Sequence, residues 1–345
     1  MRLGPVGTFV PHTALTVADV TAGAGLPDAK ARFYRDYLGF RDIPRSTGHS
    51  LADMLTAAGR EALRGTDPRE IRQVLFARIG EEAGPAEGPS QGPAGADPTG
   101  AGPAGAELLD GVRTALGLDH APAFAVGQMN CAAGLFALFL AGQLLTPDTG
   151  GSALLLTGDR VARPERGVIP GIAVVADAAA ACVVGPRVPG DLLLGSAFRT
   201  YGRFYRSLGG QDPEREREYT RFYAPALAAV IQEALEEAGT GLDGVRWIVP
   251  HNVNRLSWKG VAKELGIPFS QIFLDNLPLL GHANCADPYL NLASLRASGR
   301  LAPGDRYVLA TVGLGAAFGA VVLQREGEQG GRGGRGSEGG RDGEL

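Results

Sequence analysis

Cys131 stands at the position in this chain that best suits a reactive thiol. It follows the segment AFAVGQM, which predicts a strand, and it opens the segment CAAGLFALFLAGQLL, which predicts a helix that is apolar on every side. The unpaired N–H groups at a helix N-terminus stabilise an anion, so a thiol placed there ionises more readily. The placement fits either a nucleophile that carries an acyl group as a thioester or a small buried core residue.

Two of the five histidines stand where they could act as the base for such a thiol. His251 directly follows the predicted strand RWIVP, and His282 lies in the loop LLGHANCADP. Asp287 comes five residues after His282, and a carboxylate that accepts one imidazole N–H makes the other ring nitrogen a better base. Because Pro288 follows it, Asp287 equally fits the N-cap of a helix.

A glycine-rich bend is a further candidate for a role in catalysis, whereas a metal site is not expected. The bend Gly313-Leu314-Gly315 follows the predicted strand YVLATV and brings backbone N–H groups close to a substrate, as an oxyanion hole requires. Cys131, Cys285 and the histidines lack the short spacing of a metal site, so we expect no bound metal.

The composition excludes several classes of protein. A formal charge of -4 among 345 residues argues against binding to nucleic acid or to an anionic membrane, and 7% aromatic residues argue against base stacking. Three cysteines cannot build a disulfide scaffold, and their odd number fits a reducing compartment, so we expect a cytoplasmic protein. We find no signal peptide pattern and no apolar run of about twenty residues, and therefore expect no membrane span.

Alternating helix and strand patterns predict an α/β fold. Apolar spacing predicts helices over Leu51 to Arg64 and Tyr219 to Ala238, and the segment QIFL predicts a strand over Gln271 to Leu274. Residues 83–106 consist largely of Gly, Pro and Ala and predict a flexible insert, while residues 325–345 predict a disordered tail.

An internal repeat divides the chain into two halves. Each half contains a strand, a loop, an Asn-Cys-Ala helix start, a turn and a second strand, and the helix starts are Asn130-Cys131-Ala132 and Asn284-Cys285-Ala286. The repeat predicts a duplicated αβ unit whose copies pack face to face. The second helix start would then bring His282 towards Cys131.

A series of motifs resembles the thiolase-fold ketosynthases of the ketoacyl-carrier-protein synthase III type. The series comprises GPVGTFVPHTALT, MNCAAGLFAL, GDR, ADAAAACVV, PHNVNRLSWKGVAKELGIP, GHANCADPYLNLASL and LAPGDRYVLATVGLGAAFGAVVL, in the family's order. The resemblance implies a thiolase-like fold, a duplicated αβαβα five-layered sandwich, with an N-terminal half over residues 1–187 and a C-terminal half over residues 188–324. It further implies a homodimer and a tunnel for a pantetheine arm.

The resemblance also implies roles for individual residues. Cys131 falls on the acyl-accepting cysteine of the family and His251 on its catalytic histidine. The bend at Gly313 falls on the loop that helps to form the oxyanion hole. The family usually has Gly-Asn-Thr-Ser where this chain has Gly-His-Ala-Asn, so His282 occupies the place of the catalytic asparagine. An imidazole there suits deprotonation of a hydroxyl or amine, as in the ketosynthase-III-like acyltransferases of natural-product pathways.

We therefore expect a transferase that moves an acyl group through Cys131 to a small-molecule hydroxyl or amine. The donor would be acyl-CoA or an acyl-phosphopantetheine on a carrier protein, and no cofactor would be bound permanently. Decarboxylative condensation and a catalytically silent partner subunit are the alternatives. Arg255, Lys259 and Lys263 on a predicted surface helix fit either a carrier-binding patch or a solvated helix face.

Overall fold

The computed structural model describes residues 1–79, 103–145, 150–205 and 212–327. The strands are β1 (Arg2–Phe9), β2 (Ala14–Thr16), β3 (Asp42–Pro44), β4 (Ile71–Ala77), β5 (Ala123–Val126), β6 (Ser152–Asp159), β7 (Val168–Ile169), β8 (Ala173–Val174), β9 (Ala178–Gly185), β10 (Asp191–Thr200), β11 (Val245–Pro250), β12 (Arg306–Gly313) and β13 (Ala317–Gln324). The α-helices are α1 (Val17–Gly23), α2 (Asp28–Arg32), α3 (Leu51–Ala62), α4 (Pro103–Ala115), α5 (Ala133–Leu144), α6 (Pro213–Glu237), α7 (Arg255–Leu265), α8 (Leu277–Leu280) and α9 (Asp287–Ala297). Among these described helices, none is long and apolar enough to cross a bilayer.

The main sheet contains the same strand arrangement twice. In the first half the order is β5-β4-β6-β9-β1, with β5, β4 and β6 parallel and the remaining neighbours antiparallel. In the second half the order is β11-β12-β13-β10, with β11 parallel to β12 and the remaining neighbours antiparallel. Strands β1 and β10 pair only at Arg2 and Leu3, which joins the two halves at one end. The predicted duplication is confirmed.

The predicted strand over Gln271 to Leu274 is wrong. A 3-10 turn occupies Phe269–Gln271, and only one bridge, between Ile272 and Ile248, connects the segment to β11. The chain enters from this turn and leaves into α8, so too few residues run alongside β11 to form a strand. Ile272 nevertheless lies beside β11 as β5 lies beside β4.

The helices form three layers around the two half-sheets. Helices α3 and α4 cover the outer face of the first half, and α6 and α7 cover the outer face of the second. Helices α5 and α9 lie between the half-sheets and share one core with strands of both. Because α5 is buried on nearly all sides, its sequence has no polar face. The predicted five-layered αβαβα sandwich is confirmed.

Three sequence-based boundaries need correction. Helix α3 ends at Ala62 rather than Arg64. Helix α6 begins at Pro213, where the carboxylate of Asp212 caps it, and not at Tyr219. The first turn of α4 includes residues 103–106 of the predicted flexible insert; the rest of that insert lies outside the described residues.

The beginning of the predicted disordered tail is ordered. Arg325 forms an ion pair with the buried Asp191, and Glu326 forms one with Arg2. These contacts fasten residues 325–327 to the first strands of both halves, and the remaining tail residues lie outside the described part of the chain. The predicted boundary between residues 187 and 188 falls in the loop between β9 and β10.

We expect Gly134→Ala to destabilise the contact between α5 and the second half. A Cβ at Gly134 would lie 2.6 Å from the carbonyl oxygen of Cys285 and 3.4 Å from the ring of Tyr289. Overpacking of this kind costs roughly 1–3 kcal/mol, which exceeds the gain of about 1 kcal/mol in helix propensity. Chemical denaturation measures the change. The matched control is Gly111→Ala in α4, where a Cβ meets nothing within 4 Å and stability should stay equal or rise. Equal stability of both variants would contradict the close contact.

Candidate active site

Two equivalent loops meet where the halves join. Each is a single 3-10 turn, Asn130–Ala132 before α5 and Asn284–Ala286 before α9. Asn130 and Asn284 have φ values of 50° and 51°, in the left-handed region that asparagine tolerates better than most residues. The thiol of Cys285 donates to the carbonyl oxygen of Asn130 over 3.2 Å. The two helix starts therefore contact each other directly.

Cys131 lies in the first of these loops and is 4% exposed. Its Sγ is 3.5 Å from Nε2 of His282 and 3.1 Å from Oδ1 of Asn130. The hydroxyl of Thr311 on β12 donates to the carbonyl oxygen of Cys131 over 3.3 Å. Cys131 also lines a cavity of about 360 Å³. Burial and access to a cavity thus coincide at this thiol.

Two hydrogen bonds of its own backbone fix the position of His282. Its N–H donates to the carbonyl oxygen of Val174, and its carbonyl oxygen accepts from the N–H of Ala176. Burial opposes protonation of the ring, but the charge and hydrogen bond of Asp287, together with Cys131, outweigh it and raise the pKa of His282 to about 10. The ring is therefore an imidazolium at neutral pH, with Nε2 directed at the sulfur.

Asp287 supports this imidazole and does not cap a helix. It is the first residue of α9, and no side chain caps that helix. Its carboxylate lies 2.5 Å from Nδ1 of His282 and accepts from the backbone N–H groups of Ala283 and Asn252, each over 2.7 Å. The N-cap interpretation is wrong, because the carboxylate bonds to His282 and Ala283 of its own loop and to Asn252 after β11, and not to the N–H groups of the first turn of α9.

His251 lies next to His282. The ring centroids of the two histidines are 6.1 Å apart, and Nε2 of His251 is 3.1 Å from the hydroxyl of Tyr223 on α6. Burial and the charge of His282 lower the pKa of His251 well below its ordinary value, so this ring is neutral. Cys131, His251, His282 and Tyr223 all line the same cavity.

The glycine-rich bend lies beneath the cysteine loop. A Cβ at Gly313 would stand 2.0 Å from the carbonyl oxygen of Met129, so only glycine allows β12 to run so close. Leu314 lines the cavity, and Gly315 has a φ of 118°. The backbone N–H of Cys131 donates to Oδ1 of its neighbour Asn130 over 2.8 Å. A role of this bend in an oxyanion hole remains a prediction.

The predicted carrier-binding cations lie on the helix that forms part of the cavity wall. Arg255, Lys259 and Lys263 belong to α7, which lines the cavity through other side chains. Lys259 and Lys263 are exposed, and the ammonium of Lys259 stands 5.9 Å from the ring centroid of Phe269. Contact with a carrier protein remains a prediction for all three. Within the ranges that the structure describes, no group of three or more His, Cys, Asp or Glu side chains could hold a metal ion.

Sequence reasoning missed two residues at this site. Asn130 was noticed only as part of the repeated Asn-Cys-Ala, although its side chain contacts both N and Sγ of Cys131. Tyr223 lies on α6, for which the sequence predicts only a helix with an apolar stripe. The available signal was the pair Tyr219 and Tyr223, four residues apart and hence on one face of α6.

Comparison with other sequences gives partial matches to one family. Residues 235–325 match the family described as 3-oxoacyl-[acyl-carrier-protein (ACP)] synthase III C terminal. A beta-ketoacyl-[acyl-carrier-protein] synthase III of Rhizorhabdus wittichii is 27% identical over 298 residues, which span 80% of this chain and 85% of that protein. The protein of the same name from Ruegeria sp. is 38% identical over 98 residues, only 28% of this chain and 30% of its own length.

Solved structures share the whole fold. The 3-oxoacyl-[acyl-carrier-protein] synthase III of Aquifex aeolicus superposes with a TM-score of 0.73 at 19% identity, covering 94% of this chain and 99% of the other. ChlB3, described as an acyltransferase, superposes with a TM-score of 0.75 at 20% identity, covering 94% and 97%. The chain therefore has the thiolase fold of these proteins, and its C-terminal part matches the ketoacyl-carrier-protein synthase III family.

Proposed function

We propose that the protein transfers an acyl group from a thioester donor to a hydroxyl or amine through an acyl-cysteine at Cys131. The observation that carries the proposal is the hydrogen-bonded series from the sulfur through His282 to Asp287, with the sulfur open to a cavity. A thiol, an imidazole and a carboxylate in this order form a nucleophile, a base and the group that orients the base.

The first half-reaction loads the cysteine. The thiolate of Cys131 attacks the carbonyl carbon of acyl-CoA or of an acyl-phosphopantetheine, and the bond from that carbon to the pantetheine sulfur breaks. The imidazolium of His282 gives its Nε2 proton to the leaving thiolate. The raised pKa of His282 supports this order of events, because the proton is present before the donor arrives.

The second half-reaction removes the acyl group from Cys131. Nε2 of His282, now neutral, accepts the proton of the acceptor O–H or N–H as that group attacks the acyl carbon. The bond to Cys131 breaks, and the thiolate returns to its place beside the imidazolium. Asp287 holds the same tautomer through both steps, since its bond to Nδ1 leaves Nε2 to move the proton. No permanent cofactor takes part, and the homodimer remains a prediction.

Decarboxylative condensation is the second candidate, because several relatives are named as synthases of this kind. That reaction leaves an enolate whose oxygen needs neutral hydrogen-bond donors. His282 is placed against the sulfur and a carboxylate, which suits proton transfer better than donation to an enolate. We therefore favour acyl transfer.

Incubation of the purified protein with acyl thioesters tests the proposal. Intact-mass spectrometry should detect the gain of one acyl group, and a panel of alcohols and amines should then remove it with formation of ester or amide. A labelled malonyl thioester should release no carbon dioxide. Release of carbon dioxide tied to product formation would establish condensation, and no acyl gain with any donor would favour a silent subunit.

A further inference from the structure

We propose that the hydroxyl of Tyr223 is the donor that binds the acyl carbonyl oxygen, both when Cys131 attacks the acyl donor and when the acceptor attacks the acyl-cysteine. The inference rests on the acyl-cysteine chemistry proposed above and deepens it. His251 then becomes a positioning residue that acts through Tyr223, whereas the sequence placed His251 on the catalytic histidine of the family that the chain resembles.

The backbone donor at Cys131 is already engaged. Its N–H donates to Oδ1 of Asn130 over 2.8 Å, and the same oxygen lies 3.1 Å from the sulfur. Attack on a thioester places negative charge on the carbonyl oxygen, and catalysis requires donors that are oriented before that charge develops. With this N–H engaged, a donor from another element would complete the oxyanion hole alongside the predicted bend at Gly313.

Tyr223 is placed to supply it. The residue lies on α6 and lines the cavity together with Cys131. Burial raises the pKa of Tyr223 well above its ordinary value, so the hydroxyl keeps its proton throughout the working range of an enzyme. Its oxygen is 3.1 Å from Nε2 of His251.

The ring of His251 is fixed, and so is the hydroxyl that it contacts. The backbone N–H of His251 donates to the carbonyl oxygen of Ala310 over 3.0 Å, and its carbonyl oxygen accepts from Nε1 of Trp258 over 2.9 Å. The indole of Trp258 also packs against the imidazole, with 5.6 Å between ring centroids. His251 is 1% exposed, and these contacts hold its backbone in place next to Tyr223.

The unpaired nitrogen of His251 decides where the hydrogens lie. The ring is neutral and carries one hydrogen, and Nδ1 is buried without a hydrogen-bond partner among the described residues. A buried N–H with no acceptor is rarer and more costly than an unfilled lone pair. The hydrogen therefore belongs on Nε2, which donates to the oxygen of Tyr223. The hydroxyl of Tyr223 can then donate its own hydrogen to a group in the cavity, and the bond from His251 makes this hydroxyl a stronger donor.

The test compares Tyr223→Phe with Tyr201→Phe. Tyr201 packs against Phe222 of α6 but does not line the cavity, whereas Tyr223 lines it and contacts His251. Single-turnover acylation of Cys131, followed by intact mass, should slow by about 10²–10³-fold for Tyr223→Phe, the usual cost of losing an oxyanion donor. Tyr201→Phe should stay within about threefold of the wild type, a difference that corresponds to less than about 1 kcal/mol. Circular dichroism and thermal unfolding confirm that both variants fold.

A second measurement separates donation from packing. Fluorinated tyrosines incorporated at position 223 keep the shape of the ring but make the phenol a stronger donor, so the acylation rate should follow phenol acidity. Unchanged acylation in folded Tyr223→Phe, or no dependence on fluorination, would overturn the inference. Acylation precedes both acyl transfer and condensation, so carbon dioxide release by the wild type would defeat the proposed function and leave this inference standing.

Discussion

Replacement of Cys131 by alanine is expected to abolish acyl-enzyme formation and to lower acyl transfer by about 10⁴-fold or more, as loss of a covalent nucleophile does in other enzymes. The sulfur is the atom of the site that both opens to the cavity and contacts the Nε2 of His282. Without it, His282 and Asp287 have no thioester to form or release. Intact-mass spectrometry after incubation with an acyl donor measures the loss directly.

Cys285→Ala is the matched control for this variant. Cys285 occupies the equivalent position of the repeat, is fully buried, and donates to the carbonyl oxygen of Asn130. Its removal costs packing and a weak hydrogen bond but should leave acylation within about threefold of the wild type, because the residue has no part in the proton transfers. Acylation of Cys131→Ala with one acyl group per chain, or loss of acylation only in Cys285→Ala, would place the nucleophile elsewhere.

Asp287→Asn is expected to lower acyl transfer at neutral pH by roughly 10³–10⁴-fold, comparable with the loss of the carboxylate in a serine-protease triad. The carboxylate accepts three hydrogen bonds, and an amide oxygen with an adjoining NH₂ cannot accept them all. Each buried donor left unpaired costs about 1–3 kcal/mol, so the variant should also be less stable.

The pH dependence distinguishes an electrostatic role from a packing role. In the wild type, His282 keeps its proton up to a pH of about 10, which keeps the imidazolium beside the sulfur across the neutral range. In Asp287→Asn, burial of the ring is opposed only by Cys131, so the pKa of His282 should fall. The ¹⁵N NMR shifts of the His282 ring, followed in labelled protein between pH 6 and 9.5, should change little in the wild type and should show loss of the ring proton at lower pH in the variant.

The same pair makes stability depend on pH. The folded pKa of His282 lies above the ordinary value of 6.5, so its protonation stabilises the fold fully below that value. The contribution is lost as the pH rises through about 10. Asp287→Asn should weaken this alkaline dependence, whereas identical titration of the His282 ring in both proteins would show that Asp287 does not control the imidazole.

Much of the fold could be predicted because its elements are simple in sequence. Strands such as β6 and β9 are continuous apolar runs, and α5 is apolar on every side, as burial between two half-sheets requires. Strand β1 was missed because Gly4, Pro5 and Gly7 weaken every local strand signal. Tertiary contacts explain these residues: the pairing shifts between Leu3 and Val6, and a Cβ at Gly7 would stand 2.1 Å from the backbone oxygen of Ala58 in α3.

The residues of the site, too, were only partly predictable from the sequence. Cys131, His282 and Asp287 could be proposed because they lie at, or just before, the starts of the two repeated helices. Tyr223 could not, because its contact with His251 joins a helix to the end of a strand 28 residues later. Nothing in the spacing of an apolar stripe reveals which polar atom its neighbours will meet.

The crossing of β12 beneath the cysteine loop has a consequence for how such a protein can evolve. Gly313, from the second half, touches the backbone next to the proposed nucleophile of the first, while the proposed base for that nucleophile comes from the second half. Neither half alone contains all the residues of the proposed site. Recombination that exchanges one half between homologues must therefore keep the contacts of Gly313 and His282 with the Cys131 loop. A substitution on one side of these contacts requires a compensating substitution on the other.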